Sequence, residues 1–369
     1  MERRTNVPAD QSEKPVVSVK KKSKKKWFLI SGVFFLVLLT IGSFTGYSVW
    51  KAIYANNVTL SGDSVSYLFV KTGADYDDLL KSIDNSMLIK NTKTFRWVAE
   101  RKNLQAHINP GRYEIKQGMS NNQVVDMLRS GSQKPLNVTF NNIRTVNQLA
   151  GSIGRQIEAD SVSVLRLLKN QEVVKKYGFN TETIRCMFIP NTYQFFWNTT
   201  AEGFLERMNR EYKVFWSDDR RNAAQKQRLN AVEVSIVASI VEKETNRKEE
   251  KPRIAGVYLN RLRNNWLLQA DPTLVYASGD FGLRRVLNVH KEIESPYNTY
   301  KYAGLPPGPI CIPSINSIES VLNAENHDYF FFVARPDDSR FHNFSKSLRQ
   351  HNEYVNQYRR KQNQQARNR

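Results

Sequence analysis

The sequence predicts an α+β protein made of a single N-terminal transmembrane helix, a small α/β module and a larger, mostly helical α+β domain. Three observations lead there. Residues 27–50 (WFLISGVFFLVLLTIGSFTGYSVW) run for twenty-four positions without a charge, long enough to cross a bilayer as a helix. Residues 64–134 interleave β-rich, alternating runs with short amphipathic ones. From residue 145 onward the chain reads mainly as helices, and later as loops rich in Pro and Gly. The chain has 369 residues and is 40% hydrophobic, ordinary for a folded protein, so disorder is expected only at its ends.

The formal charge of +20 is unevenly spread. Residues 1–26 hold nine Lys/Arg against three Asp/Glu, and residues 359–369 (RRKQNQQARNR) add five cations and no acid. Residues 27–358 keep +9. A cationic body suits an anionic partner: nucleic acid, a membrane surface or an acidic polymer. The apolar run decides among them. Lys20 to Lys22 and Lys24 to Lys26 immediately precede it, and the positive-inside rule places them in the cytoplasm. Trp27, Tyr47 and Trp50 lie near its ends, where amphipathic rings prefer the interface. The run is too long for a cleaved signal peptide, and no A-x-A site closes it. Everything after Lys51 is then expected outside the cytoplasm, which argues against nucleic acid and for a wall polymer carrying peptide carboxylates.

In chain order, 1–26 reads as a disordered basic cytoplasmic tail and 27–50 as the membrane helix. A module follows over 60–134. SVSYLFV (64–70) is a strand, DYDDLLKSI (75–83) and NTKTFRWVAERKN (91–103) are helices, Asn109-Pro110-Gly111 turns into the strand RYEI (112–115), and MSNNQVVDMLRSG (119–131) is a helix capped by Ser120 and Gly131. Two strands with packed helices are typical of a sugar-binding LysM-like module. PLNVTF (135–140) opens the second domain, 135–358. Residues 145–230 read as helices interrupted at FIPNTYQFFW (188–197), where Asn191, Tyr193 and Gln194 form an aromatic and amide stretch of the kind that grips sugars or builds cores. Two helices cover 231–264. Beyond them come loops, one strand (YFFFVA, 329–334) and a terminal helix, with 359–369 as a disordered basic tail.

The segment NAVEVSIVASIVEKET (230–245) is the most informative. Asn230 with Glu233 three residues on forms a capping box. At about 100° per residue, Val234, Val237, Ile240 and Val241 share one stripe and Glu244 falls in its middle, with Glu242 on the far side. A carboxyl among aliphatic groups is held toward its protonated form, and can then give a proton to a glycosidic oxygen. The alternative is a Glu paired with a cation or turned to water at a helix end. No second carboxylate stands out as a nucleophile. Asp271 in LQADPT is the best placed, although an Asp before Pro also serves a turn.

Neither a cofactor nor a metal is expected. His107, His290, His327, His342 and His351 form no H-E-x-x-H pair, and no P-loop, G-x-G-x-x-G or G-x-S-x-G sequence occurs. Cys186 and Cys311 could pair in an oxidising compartment or stay as buried thiols.

These residues resemble the endolytic murein transglycosylases. The strongest block is ASIVEKET (238–245), followed in the family's order by VYLNRL (257–262), LQADPT (268–273), YNTY (297–300), GLPPGPI with Pro313 (304–313) and FHNFSKSLRQHN (341–352). The resemblance covers most of 27–355. It implies a cytoplasmic stub, one membrane helix, a LysM-like subdomain and a catalytic domain. It implies cleavage of the β-1,4 bond between N-acetylmuramic acid and N-acetylglucosamine within a strand, leaving a 1,6-anhydro sugar and ending strand growth beside the peptidoglycan synthases. It maps the catalytic Glu onto Glu244, the residue the helical wheel selects. It also implies a substrate cleft from Asn191, Tyr193, Gln269, Asp271, Thr273, Tyr297, Asn298, Thr299, Tyr300, His342 and Asn343; the alternative is that these loops brace the catalytic helix.

Two departures stand out. Related sequences often carry Pro-Asp-Thr where this one has Pro190-Asn191-Thr192, which removes a carboxylate, and FNNIRT (140–145) lacks the Gly usual at that turn. Two other readings stay open: a non-catalytic wall-binding scaffold for synthases, and a two-carboxylate muramidase.

Overall fold

The computed structural model describes residues 24–367, apart from Ser61, Asp63 and Arg284. The expected cytoplasmic tail lies outside the described residues up to position 23. Helix α1 spans Lys24–Tyr54. Among the described residues it is one helix long and apolar enough to cross a membrane. Its 28-residue apolar part, Trp27–Tyr54, measures about 42 Å at the α-helical rise, against a hydrocarbon core of about 30 Å. Every residue from Trp27 to Lys51 is exposed. The helix outlasts the predicted span by one turn, and that turn is not free. Ile53 packs on the module's core, and the Ala52 carbonyl accepts a hydrogen bond from Asn121 Nδ2 at 2.8 Å.

The module has the predicted element order. β1 (Val65–Val70), α2 (Tyr76–Ser86), α3 (Thr92–Arg101), β2 (Gly111–Lys116) and α4 (Asn121–Ser130) follow one another. β1 and β2 pair antiparallel, from Val65 opposite Lys116 to Val70 opposite Gly111. Alternation along the strands sends Leu68, Val70, Tyr113 and Ile115 inward against Leu79, Ile83, Phe95, Val98, Val124 and Leu128. Ser120 caps α4 in a full capping box with Gln123, and Gly131 ends it in the left-handed conformation at φ 67°.

The second domain opens with β3 (Leu136–Thr139), then α5 (Val146–Gly154), α6 (Ser161–Lys169) and α7 (Gln171–Lys176). Next comes β4 (Thr192–Phe195), which pairs antiparallel with β3. The aromatic stretch expected as a break between helices is therefore a strand: Tyr193 and Phe195 point into the core while Thr192 and Gln194 face out. α8 (Ala201–Phe215), α9 (Asp218–Lys226), α10 (Ala231–Glu244), α11 (Lys251–Arg263), α12 (Asp271–Ser278) and α13 (Ile315–Leu322) follow. β5 (Phe331–Ala334) and β6 (His342–Ser345) form an antiparallel hairpin, and α14 covers Leu348–Arg367. Residues 359–367, expected in a disordered tail, continue that helix.

α10 is the spine of this domain. Asn230 and Glu233 make the predicted capping box. Its residues Val234 to Val241 are all buried, because α11, α12 and α13 pack around it. Cys186 and Cys311 are buried and unpaired; desolvation pushes both thiols up to about 12. The module rests on the second domain at one seam. Glu158 accepts hydrogen bonds from the Thr72 amide and hydroxyl at 2.7 and 2.6 Å, and Phe69 meets Trp197 edge-on at 5.0 Å.

Candidate active site

Glu244 is the last residue of α10. The helix stops there because Thr245 turns to an extended conformation at φ −146° and ψ 144°. The carboxyl thus leaves a fully enclosed helix at the point where the packing opens. Tyr258 of α11 donates its hydroxyl to Glu244 Oε1 at 2.5 Å. Arg261, one turn further along α11, is committed elsewhere: its Nε donates to the Phe330 carbonyl at 2.8 Å and a terminal nitrogen to the Leu268 carbonyl at 2.5 Å. It acts on Glu244 only from a distance.

Desolvation pushes Glu244 from the ordinary carboxyl value up to about 7. Negative charge on Asp271 acts in the same direction, and the Tyr258 hydrogen bond opposes both. The negative end of the α10 dipole adds to the bias against ionisation. Glu244 keeps partial surface access on the cleft side while protein encloses it elsewhere.

Two cavities meet at this carboxyl. One, of about 870 Å³, is lined by Glu244, Asp271, Val275, Phe281, Ile310 and, from α14, Val355, Tyr358 and Arg359, among others. The other, of about 310 Å³, is lined by Glu244, Tyr258, Gln269, Asp271, Tyr300 and Phe332, among others. Glu244 and Asp271 line both, so together the two cavities form a groove at the carboxyl. Asp271 opens α12 and is exposed; Tyr300 donates to its Oδ1 at 2.6 Å, and burial pushes the Tyr300 phenol well above its usual range. Among the described residues, no group of three or more His, Cys, Asp or Glu side chains is placed to hold a metal ion.

The other sequence candidates divide. Gln269, Asp271 and Tyr300 reach the groove. Thr273, Asn298 and Thr299 lie beneath it, fully buried. The Thr299 hydroxyl accepts from the Ala270 amide at 3.0 Å and meets the Thr273 hydroxyl at 2.8 Å. Asn298 Nδ2 donates to the carbonyls of Lys291 and Ile293 at 2.8 and 2.9 Å. These three shape the loops that carry Gln269 and Asp271 rather than facing the cavity. Tyr297 donates to Glu182 at 2.6 Å and packs on Tyr276. Tyr193 is a core residue, its hydroxyl donating to the Ile189 carbonyl at 2.7 Å and its ring stacked on Phe140. The Asn191 side chain accepts from the adjacent Thr192 amide. His342 and Asn343 lie in β6; His342 bonds Glu250 through its ring Nδ1 and its amide, both at 2.8 Å.

Sequence reasoning passed over Tyr258 and the α14 residues. Tyr258 sits in the VYLNRL block three residues before Arg261, spacing that puts both on one helix face, and that was the available signal. The far side of α10 also differs from expectation. Glu242 is half-buried and accepts from Lys251 at 2.9 Å, Ser314 at 2.6 Å and Ser317, because α13 covers that face too.

Fold and site together define a helix-rich α+β protein with a membrane-length helix and a largely enclosed, protonatable carboxyl shared by two cavities. The chain belongs to the YceG-like family, whose family model matches residues 68–357. It is 28% identical over 349 residues to a Streptococcus pneumoniae protein named endolytic murein transglycosylase, covering 85% of this chain and 62% of that protein. A Bacillus subtilis protein of the same name is 27% identical over 305 residues, covering 78% of this chain and 83% of that one. The chain thus spans 62% of the length of its Streptococcus pneumoniae relatives. A solved YceG-like protein from Listeria monocytogenes matches with a TM-score of 0.53 at 27% identity, over 79% of this chain and 98% of that one.

Proposed function

We propose that the chain is a membrane-anchored lytic transglycosylase that cuts the β-1,4 bond between N-acetylmuramic acid and N-acetylglucosamine inside nascent peptidoglycan strands. The observation that carries this reading is Glu244: a carboxyl with a pKa raised to about 7, at the meeting point of two cavities. A strand can lie across it with sugars on both sides, as cutting within a strand requires. The relatives' name, endolytic murein transglycosylase, supports the same chemistry.

Glu244 gives its proton to the leaving 4-oxygen as the bond from C1 of the muramic sugar breaks. The carboxylate so formed then takes the proton of the muramic 6-hydroxyl, whose oxygen bonds to C1. No water enters, and Glu244 ends protonated as it began. The intermediate state at C1 is oxocarbenium-like, and the Asp271 carboxylate lies on the same groove to offset its charge. Holding the 6-hydroxyl against C1 supplies the proximity that a free water lacks. α1 anchors the protein in the plasma membrane with the N-terminus in the cytoplasm, the LysM-like module adds grip on glycan, and the new ends stop elongation beside the synthases.

The test is Glu244→Gln. Binding of strands persists, and anhydro-ended product falls about a thousandfold, in the range for loss of a general acid; mass spectrometry of digested strands reads it. Cleavage that survives the exchange would overturn the assignment. One observation favours a second reading. Asp271 shares the groove with Glu244, so a two-carboxylate muramidase is served by the same residues. That enzyme leaves reducing ends, and the same spectra separate the two.

A further inference from the structure

A third cavity, of about 510 Å³, adjoins the groove. Asn141, Asn142, Asn246 and Glu242 contribute to its wall, and Arg144 and Lys243 line both it and the larger groove cavity. Lys243 is the chain neighbour of Glu244, and with Arg144 it forms the wall shared by this chamber and the cavity that Glu244 lines.

Its charges are unbalanced. The Glu242 carboxylate is satisfied by Lys251, Ser314 and Ser317. Lys243 Nζ donates to Asn142 Oδ1 at 2.7 Å, and the Arg144 guanidinium lies over the Phe281 ring at 4.9 Å; neither has a carboxylate within ion-pair reach among the described residues. Asn142 is held at φ 50°, a left-handed conformation that Asn tolerates better than most residues, and that turn aims its amide at Lys243. Two cations and three amides around one space make a site for a carboxylate on a backbone of peptide groups, since amides both donate to and accept from peptide bonds.

We infer that this side chamber is a stem-peptide subsite. It takes the peptide branch of the muramic residue bound over Glu244, and Arg144 and Lys243 hold its carboxylates. The inference rests on the glycan-cleaving reading above. A glycan strand runs along the groove, and its peptide is the part that leaves sideways. The chamber's volume lies within the range of ordinary ligand sites, about 300–1,000 Å³.

Two measurements on the full chain in detergent test it. The first compares cleavage of peptide-bearing strands with the same strands stripped by an amidase. The parent prefers the peptide-bearing form through KM. In Lys243→Gln and Arg144→Gln the ratio of kcat/KM between the two substrates falls about tenfold, the loss of one charge-assisted contact. An equal loss on both substrates, or no preference in the parent, overturns the subsite while leaving the cleavage reading intact. The second measures binding of the amidase-released peptides by calorimetry, independent of any cleavage. Binding weakens about tenfold in each variant and on methyl esterification of the peptide. Binding insensitive to both changes overturns the inference even where no strand is cut; absent cleavage of every strand by the parent overturns the parent reading instead.

Discussion

A carboxyl whose pKa rises from 4.5 to about 7 on folding, as at Glu244, holds a proton that the unfolded chain releases between those values. The native state binds more protons there, so its stability falls as pH climbs through that window, by about 3 kcal/mol at most. Glu244→Gln removes the penalty. Denaturant unfolding should show the variant gaining on the parent as pH rises, by about 3 kcal/mol near pH 8 against about 1 kcal/mol near pH 5. On the proposed mechanism the same proton sets the rate: kcat/KM should hold below about pH 7 and fall above it as the acid ionises. Tyr258→Phe removes the hydrogen bond that favours the ionised form, so that falling limb should move to higher pH. The place of Glu244 at the end of a buried stripe was legible because an apolar run and a carboxyl coincide within one helix. Spacing puts Tyr258 and Arg261 on one face of α11, but the contact of Tyr258 with Glu244 was not legible, because it depends on how α11 crosses α10.

Among the elements, α10 shows both the reach and the limit of periodicity. Its cap and its extent follow from Asn230, Glu233 and the apolar run, but α13 covers the side away from the stripe, so Glu242 is half-buried as well. β4 was hidden for a similar reason: Phe195, Phe196 and Trp197 in a row mask the alternation that Thr192, Tyr193 and Gln194 begin. Tyr193→Phe checks that strand's role. It should leave strand cleavage unchanged and lower stability by about 1 kcal/mol, the usual net value of one hydrogen bond, read by denaturant midpoint. Basic composition suggested disorder over 359–367, but charge along a helix is compatible with helix when one face is occupied. Val355, Tyr358 and Arg359 of α14 wall the larger cavity.

For the whole chain, the exposed apolar helix and the element order of the module were open to reading from hydropathy and turns, whereas the two separate apolar clusters within residues 138–322 were not. The seam at Thr72 and Glu158 was not, since the partners lie 86 positions apart. A chain begun at residue 55 should stay in solution and still cut soluble strands, whereas the full chain should float with lipid vesicles in a density gradient; a full chain that sediments without lipid would remove the anchor from the proposal.

Between α1 and the module there is no leash. Ile53 is packed in the module and the Ala52 carbonyl is held by Asn121, so the stalk and the body it carries turn as one piece. On the proposed anchoring and cleavage, a blade mounted this stiffly would not graze through the thickness of a wall. It would meet only material delivered to its own doorstep at the bilayer, which is where a polymer is youngest.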